Sequence, residues 1–452
     1  MADYQNPMRG HPREVKVISQ RFGIPNSASM EVYLQHDGYQ ALKKALQMQP
    51  DDVINEVKNS WLRGRGGAGF NAGMKWSFVP KQSDKAKYVV CNADESEPGT
   101  CKDRPLMEYD PHQMIEGILI AGYAIQAHQG YIYIRGEYRY LMEIVDRAIA
   151  EAYSRGFLGK NILGSGFDFD LCTHTGAGAY ECGEETALLN SLEGLRGYPR
   201  IKPPFPAVSG LYGGPTVINN VETLCNVPHI ILNGAEWFHK LGTPKNGGTR
   251  LFCLSGHIAR PGVYELPMGF SLRRMIEEVG GGVPGGKKVK CVIPGGSSCP
   301  VLTGDEIDVP MDFDSLAKIG SMLGSGGVVI IDDDTCMVKV ALRIMKFYAH
   351  ESCGWCVPCR EGTSWLKLLL ERFHRGGGIP EDVDTALDVS YNLLGKTLCP
   401  LGDAAALSTI SILKKFRHEF EEHLKLGACP YENQDSGLGV RDSVAVGFDP
   451  QP

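Results

Sequence analysis

Apolar positions along the chain follow two spacings. In residues 38–61, Val53, Val57 and Trp61 recur four apart, which predicts a helix with Pro50 suited to a first turn. Residues 87–91 form a short apolar run of the buried-strand kind. A helix is then expected over 112–126, a strand over 131–135, and a helix over 140–153, where Leu141, Ile144, Val145 and Ala148 share one face. A strand at 167–172 and a helix through Leu192 follow, and residues 216–223 read as the opening of another helix. Strand and helix in alternation predict a mainly parallel sheet covered on both faces.

The pattern shifts around residues 235–248. Beyond it, 251–255 and 262–265 read as a hairpin, 271–279 as a short helix and 289–294 as a strand, a small α+β unit ending near Asp332. It carries no catalytic constellation and is expected to pack, space or dock. From Thr335 the period becomes helical, over 336–350, 361–374, 381–394 and 404–424, which suggests a four-helix bundle.

At 452 residues the chain is long enough for two or three domains. A net charge of -7 gives no reason to expect nucleic acid as a partner. No run of about 18 apolar residues is present, so no membrane span is expected, and the polar residues 1–13 do not read as a secretory signal. Fourteen cysteines without regular extracellular spacing point to a reducing compartment. Cys91, Cys101, Cys172, Cys225, Cys253, Cys291, Cys299, Cys336 and Cys429 are expected as free buried thiols.

Cys353, Cys356 and Cys359 stand in a C-x-x-C-x-x-C array, and distant Cys399 is followed by Pro400. A Cys-Pro ending echoes the last ligand of ferredoxin-type iron–sulfur sites. A closed zinc site and a disulfide framework are the other readings, and the spacing fits them less well. Upstream, residues 64–70 are glycine-rich and can present backbone N–H groups to an anion, or can be a plain surface loop. Asn92, Asp94, Glu95 and Glu97 follow a strand, where ligands gather in α/β folds. A second glycine-rich turn, 175–185, opens a helix at Gly183, Glu184 and Glu185. Residues 196–215 form a long irregular loop containing Phe205, and Asn219, Asn220 and Thr223 are either helix caps or phosphate ligands.

These motifs, in this order, resemble the NADH-binding flavoprotein subunits of respiratory complex I, the NADH:quinone oxidoreductases, over nearly the whole chain. The resemblance implies a Rossmann-like FMN- and NADH-binding domain at 1–240, a ubiquitin-like β-grasp (SLBB-like) domain at 241–334, and a helical bundle with a 4Fe-4S cluster and C-terminal tail at 335–452. It implies FMN ligands at Gly64, Arg65, Gly66, Gly67, Lys75, Asn92, Asp94, Glu95, Gly183, Glu184, Asn219, Asn220 and Thr223. NADH would meet Phe70, Phe78 and Phe205 with its adenine, and Glu97, Tyr180 and Glu185 with its ribose and nicotinamide. The cluster would take Cys353, Cys356, Cys359 and Cys399, and no side chain would act as catalyst, since hydride transfer belongs to the flavin. Partners implied are a thioredoxin-like 2Fe-2S subunit and a large multi-cluster iron–sulfur subunit, on the cytoplasmic side of a bacterial inner membrane. The diaphorase subunit of an NAD-dependent hydrogenase or formate dehydrogenase is the nearest alternative, and a zinc-stabilised binding protein a more distant one.

Overall fold

The computed structural model describes residues 10–431. The first residues of the polar lead-in and the C-terminal tail therefore lie outside the described residues.

Four strands form the first sheet: β1 (Tyr88–Ala93), β2 (Gln129–Ile134), β3 (Asp170–Thr175) and β4 (Thr216–Asn220). Their order is β3-β2-β1-β4 and every pairing is parallel. Val89 and Cys91 pack into the core that holds the helices Pro111–Ile125 and Val221–Asn233. Val90 points the other way, toward Leu188 and Leu189 of the helix Glu185–Leu192. Both faces are thus covered, as the alternation of strand and helix predicts.

Two elements differ from the expectation. Residues 216–220 are a strand and not the start of a helix, because Thr216, Val217, Ile218 and Asn219 are buried between the two layers; the helix begins at Val221, capped by Asn220. Five residues are too few to display a period, so the run is ambiguous from spacing alone. Residues 38–61 hold two helices, Gln40–Ala45 and Pro50–Asn59. The chain breaks just before Pro50, whose ring cannot continue a preceding helix.

A second sheet contains β5 (Thr249–Gly256), β6 (Gly262–Pro267), β7 (Val289–Ile293), β8 (Leu302–Thr303) and β9 (Gly327–Asp332), in the order β6-β5-β9-β7-β8. The β5–β6 hairpin is the expected one. The central strand β9, parallel to β5 and antiparallel to β7, is not among the expected elements, although Val328, Val329, Ile330 and Ile331 are a clear β-branched run. The expected helix at 271–279 is one α-turn, Leu272–Arg274, widening into a π-turn at Met275–Val279.

The helices that follow are Met337–Glu351, Val357–His374, Glu381–Leu393, Pro400–Lys415 and Arg417–Leu426. The last expected helix is two, divided at Phe416, and two helices start earlier than periodicity indicates, with a proline in the first turn. Among the described residues no helix is long and apolar enough to cross a membrane. Cys101 and Cys172 are exposed and Cys429 is half-buried, contrary to the expectation of burial; Cys101 follows the turn at Pro98 and Gly99, and Cys172 lies on the outer strand of the first sheet.

Candidate functional site

In the first sheet β1 is flanked by β2 on one side and β4 on the other, so the connections leaving these strands diverge and leave a crevice at their carboxyl ends. A cavity of about 1310 Å³ opens there, larger than the roughly 300–1,000 Å³ that suits a single small ligand. Its walls include Gly64, Gly66, Gly67, Phe70, Lys75, Phe78, Asn92, Asp94, Glu95, Glu97, Tyr180, Gly183, Glu184, Glu185, Phe205, Asn219, Asn220 and Thr223. Arg65 is the one residue of that expected set whose side chain lies elsewhere. It is fully buried and donates to the carbonyl oxygens of Gly247 (2.8 Å) and Thr249 (3.0 Å), tying the glycine loop to the second sheet. Its backbone N–H donates to Thr223 Oγ1 at 2.8 Å, which holds the loop against the helix Val221–Asn233.

The loop has the shape of an anion cradle. Gly67 sits at φ 137°, and a Cβ built there meets no atom within 4 Å, so the backbone faces open space. At Gly66 a Cβ would come within 3.2 Å of the Asn220 side chain. Phe70, Phe78 and Phe205 are 49%, 54% and 58% exposed, an unusual state for three large apolar rings at one cavity mouth.

The acidic side chains differ in how committed they are. Glu95 accepts from the backbone N–H groups of Lys102 (2.7 Å), Asp103 (2.8 Å) and Arg104 (3.2 Å), so its carboxylate chiefly anchors the next helix. Burial, with Asp103 nearby, pushes it up to about 8. Glu184 caps its own helix, accepting from Thr186 and Ala187 at 2.8 and 2.9 Å. Glu97 accepts from Tyr180 Oη at 2.7 Å and from the Ser298 N–H at 2.8 Å. Asp94 is different: its Oδ1 is buried without a partner in the chain, and burial raises the carboxyl to about 7. An orphaned buried oxygen in a cavity wall is the mark of a ligand's hydrogen-bonding position.

Because the folded pKa of Asp94 is raised, its contribution to stability is fully present below the unfolded carboxyl range, about 4, and is lost as pH rises through about 7. In protein free of bound ligand, Asp94→Asn is expected to lessen the fall in Tm between pH 5 and pH 8, read by calorimetry. A parallel fall in parent and variant would contradict this.

Several pairings among the lining groups carry no signal in the sequence. Lys202 Nζ reaches Glu184 (2.9 Å) and Glu185 (3.0 Å), and Lys75 Nζ reaches Glu185 at 2.8 Å. Lys102 is fully buried between Asp103 (2.8 Å) and Glu222 (3.0 Å), and also donates to Asn220 Oδ1 at 3.1 Å. Apart from Asp103, which adjoins Lys102 in sequence, only the chain fold brings these partners together; a lone lysine in sequence does not announce them. Lys102→Met should leave two buried carboxylates unpaired and cost about 3–5 kcal/mol, read as a lowered midpoint in urea unfolding. The second sheet's unit also supplies wall residues, Ser298, Phe313 and Leu323 among them, so it does more than pack or space.

Cys399 lines this same cavity. It precedes the helix Pro400–Lys415, while Cys356 precedes the helix Val357–His374 and Cys359 lies buried in that helix's first turn. Cys353 follows the end of Met337–Glu351. Two helix N-termini therefore bear on the thiols, an environment that favours negative charge. Burial works in the other sense: it pushes the Cys359 thiol up to about 11 and raises Cys399 and Cys353 as well, with neighbouring cysteines and Glu181 adding to the effect. Such a set ionises only with compensating positive charge, which suits a metal centre. Glu181 hydrogen-bonds Cys399 and is itself raised to about 7 by burial, with Oε1 unpartnered in the chain.

Comparison with known proteins agrees with this geometry. Residues 57–229 match the family model described as the Nuo51 FMN-binding domain. Residues 250–331 match the SLBB domain, and 339–423 the iron-sulfur binding region of NADH-ubiquinone oxidoreductase-F. The chain is 54% identical over 440 residues to the F-type subunit of NADH-quinone oxidoreductase of Mycobacterium tuberculosis (strain ATCC 25618 / H37Rv), covering 96% of this chain and 98% of that protein. It is 55% identical over 416 residues to an F-type subunit of NADH-quinone oxidoreductase of Rhizobium meliloti (strain 1021), covering 92% and 99%. A solved structure of an NAD+-reducing NiFe-hydrogenase in the H2-reduced state superposes with a TM-score of 0.78 at 34% identity, over 87% of this chain and 66% of that one.

Proposed function

The chain belongs to the family of F-type subunits of NADH-quinone oxidoreductase, and on that premise we propose how its residues divide the work of an NADH dehydrogenase flavoprotein subunit. The cofactors of this family are FMN, NADH and a 4Fe-4S cluster. The observation that carries the proposal is that Cys399 stands in the wall of the cavity formed by the glycine loop and the ends of β1 and β4. FMN held there would supply the conversion between the two-electron hydride chemistry of NADH and the one-electron chemistry of an iron–sulfur cluster.

The protein's own part is binding and placement. Gly67 presents open backbone to the cavity and Gly66 packs beside Asn220, while the Gly64 N–H closes the loop by donating to the Phe70 carbonyl at 2.8 Å, with Arg65 as the buried strut beneath them. Asn92 donates to the Gly183 carbonyl at 2.8 Å and so fixes the second glycine turn against the end of β1. Asp94, with its unpartnered oxygen, is the polar contact for the flavin ring, and Asn219, Asn220, Thr223, Lys75, Glu95 and Glu184 complete the pocket or brace it. Phe70, Phe78 and Phe205 offer flat apolar faces to adenine. Glu97, Tyr180 and Glu185 face the ribose and nicotinamide. Cys353, Cys356, Cys359 and Cys399 hold the cluster. The residues in the cavity walls fit both cofactors in number, polarity and space.

This reading divides the described residues into a Rossmann-like domain up to residue 240, a ubiquitin-like β-grasp over 241–334 and a helical bundle from 335 onward. Trp355, Val357, Trp365 and Leu368, each more than half exposed around the cysteine helix, favour docking of partner subunits beside the electron exit. A thioredoxin-like 2Fe-2S subunit and a large multi-cluster subunit, on the cytoplasmic side of a bacterial membrane, are the partners this reading assigns. Identity of 54% and 55% to F-type subunits, against 34% to the hydrogenase chain, favours complex I over a hydrogenase diaphorase.

Gly67→Ala tests the cradle. A side chain at φ 137° is strained by about 1–2 kcal/mol and points into the cavity, so flavin released from the purified variant should fall about tenfold per chain. Full flavin occupancy would remove the loop from the binding site.

A further inference from the structure

Away from the cavity, four metal-binding side chains meet at the other end of the helical region. Cys336 caps the helix Met337–Glu351, its sulfur accepting the Lys339 N–H at 3.3 Å. His374 ends the helix Val357–His374, His423 lies in Arg417–Leu426, and Cys429 follows shortly after it. The sulfurs of Cys336 and Cys429 and one ring nitrogen of His374 all lie within 4.8 Å of one another. His423 Nε2 stands 3.3 Å from Cys336 Sγ. Cys336 and His423 are buried, at 2% and 0% exposure.

The orientation of His423 is telling. Its Nδ1 is 2.7 Å from the Glu419 carbonyl oxygen. A carbonyl only accepts, so Nδ1 carries the hydrogen and, in the neutral ring, Nε2 turns its lone pair toward Cys336. Metal-ligating histidines are usually held in this way, by a carbonyl or carboxylate on the far nitrogen. Tetrahedral zinc with sulfur ligands at about 2.3 Å and nitrogen ligands at about 2.0 Å places neighbouring ligand atoms about 3.3–3.8 Å apart, so the site closes by drawing these side chains inward.

We propose that Cys336, His374, His423 and Cys429 form a structural site for a zinc-class divalent cation. On binding, the two thiols release their protons to water and two S–Zn bonds form; the two thiolate charges cancel that of the cation, leaving a neutral buried centre with no change of oxidation state. The site clasps the segment after the last helix to the start of the first. The second sheet is joined to the same place, because Lys290 Nζ donates to the Thr335 carbonyl (2.6 Å) and Glu419 (3.0 Å). Cys359 and His374 are 15 residues apart on one helix, about 22 Å, so this centre is separate from the cysteines at the cavity.

The test uses the intact flavin- and iron-loaded chain, dialysed against dilute zinc chloride and then against zinc-free buffer. About one zinc should remain per chain, with X-ray absorption showing two sulfur and two nitrogen neighbours. In Cys429→Ser, zinc should drop about tenfold or more while iron and flavin per chain stay unchanged. No retained zinc would overturn the proposal and leave a thiol–imidazole hydrogen-bonded cluster. Zinc with four sulfur neighbours would also overturn it, since the metal would then occupy the cavity cysteines.

Discussion

Replacing Cys356 by alanine is expected to abolish the cluster's paramagnetic signal and to slow NADH-driven quinone reduction in the assembled enzyme by about a hundredfold or more. Flavin reduction by NADH should stay within about twofold of the parent rate. Cys356 is the most informative of the four positions because its side chain makes no capping hydrogen bond at the start of the helix Val357–His374. Cys399 shapes the cavity wall and Cys359 is buried with Ser352 Oγ 3.2 Å from its sulfur, so changes there would disturb more than the ligand set. Stopped-flow flavin bleaching on a folded, flavin-loaded variant reads the result. Loss of flavin reduction as well would refute the division between a hydride-accepting cavity and an electron exit.

Glu185→Gln should raise the ratio of NADPH to NADH kcat/KM about tenfold, equivalent to about 1.4 kcal/mol. Burial opposes the charge on Glu185, yet Lys75 and Lys202 hold its carboxyl below the usual range. Glutamine would leave Lys75 with the Ile218 carbonyl (2.8 Å) and Lys202 with Glu184 (2.9 Å), so the pocket gains net positive charge. A nucleotide carrying an additional ribose phosphate would meet attraction where the parent offers a carboxylate. Steady-state kinetics with both nucleotides checks this, and an unchanged ratio would take Glu185 away from the ribose.

The alternation of strand and helix is legible in the sequence because buried parallel strands are continuous apolar runs, and the glycine loops because a chain rich in glycine leaves its backbone open. Their meeting at one crevice is not legible from local pattern. It depends on β4 joining β1 from the opposite side to β2, and β4 itself is hidden in a five-residue run. The lysines are silent for the same reason: Lys202 and Lys102 acquire meaning only beside Glu184, Glu185, Asp103 and Glu222. Arg65 shows the converse. Its place within the glycine loop suggests ligand contact, whereas its guanidinium serves the junction with β5. Likewise Cys336 and Cys429 look like ordinary thiols until the fold sets two histidines beside them.

The claim that one cavity joins hydride acceptance to single-electron exit is tested most directly by anaerobic titration of the isolated, cofactor-loaded chain with NADH, following flavin absorbance and the cluster's paramagnetic resonance in the same samples. The account predicts that both respond and that uptake reaches about three electrons per chain, two by the flavin and one by the cluster. Complete flavin bleaching beside a cluster that stays oxidised toward NADH, yet is reduced by dithionite, would contradict it.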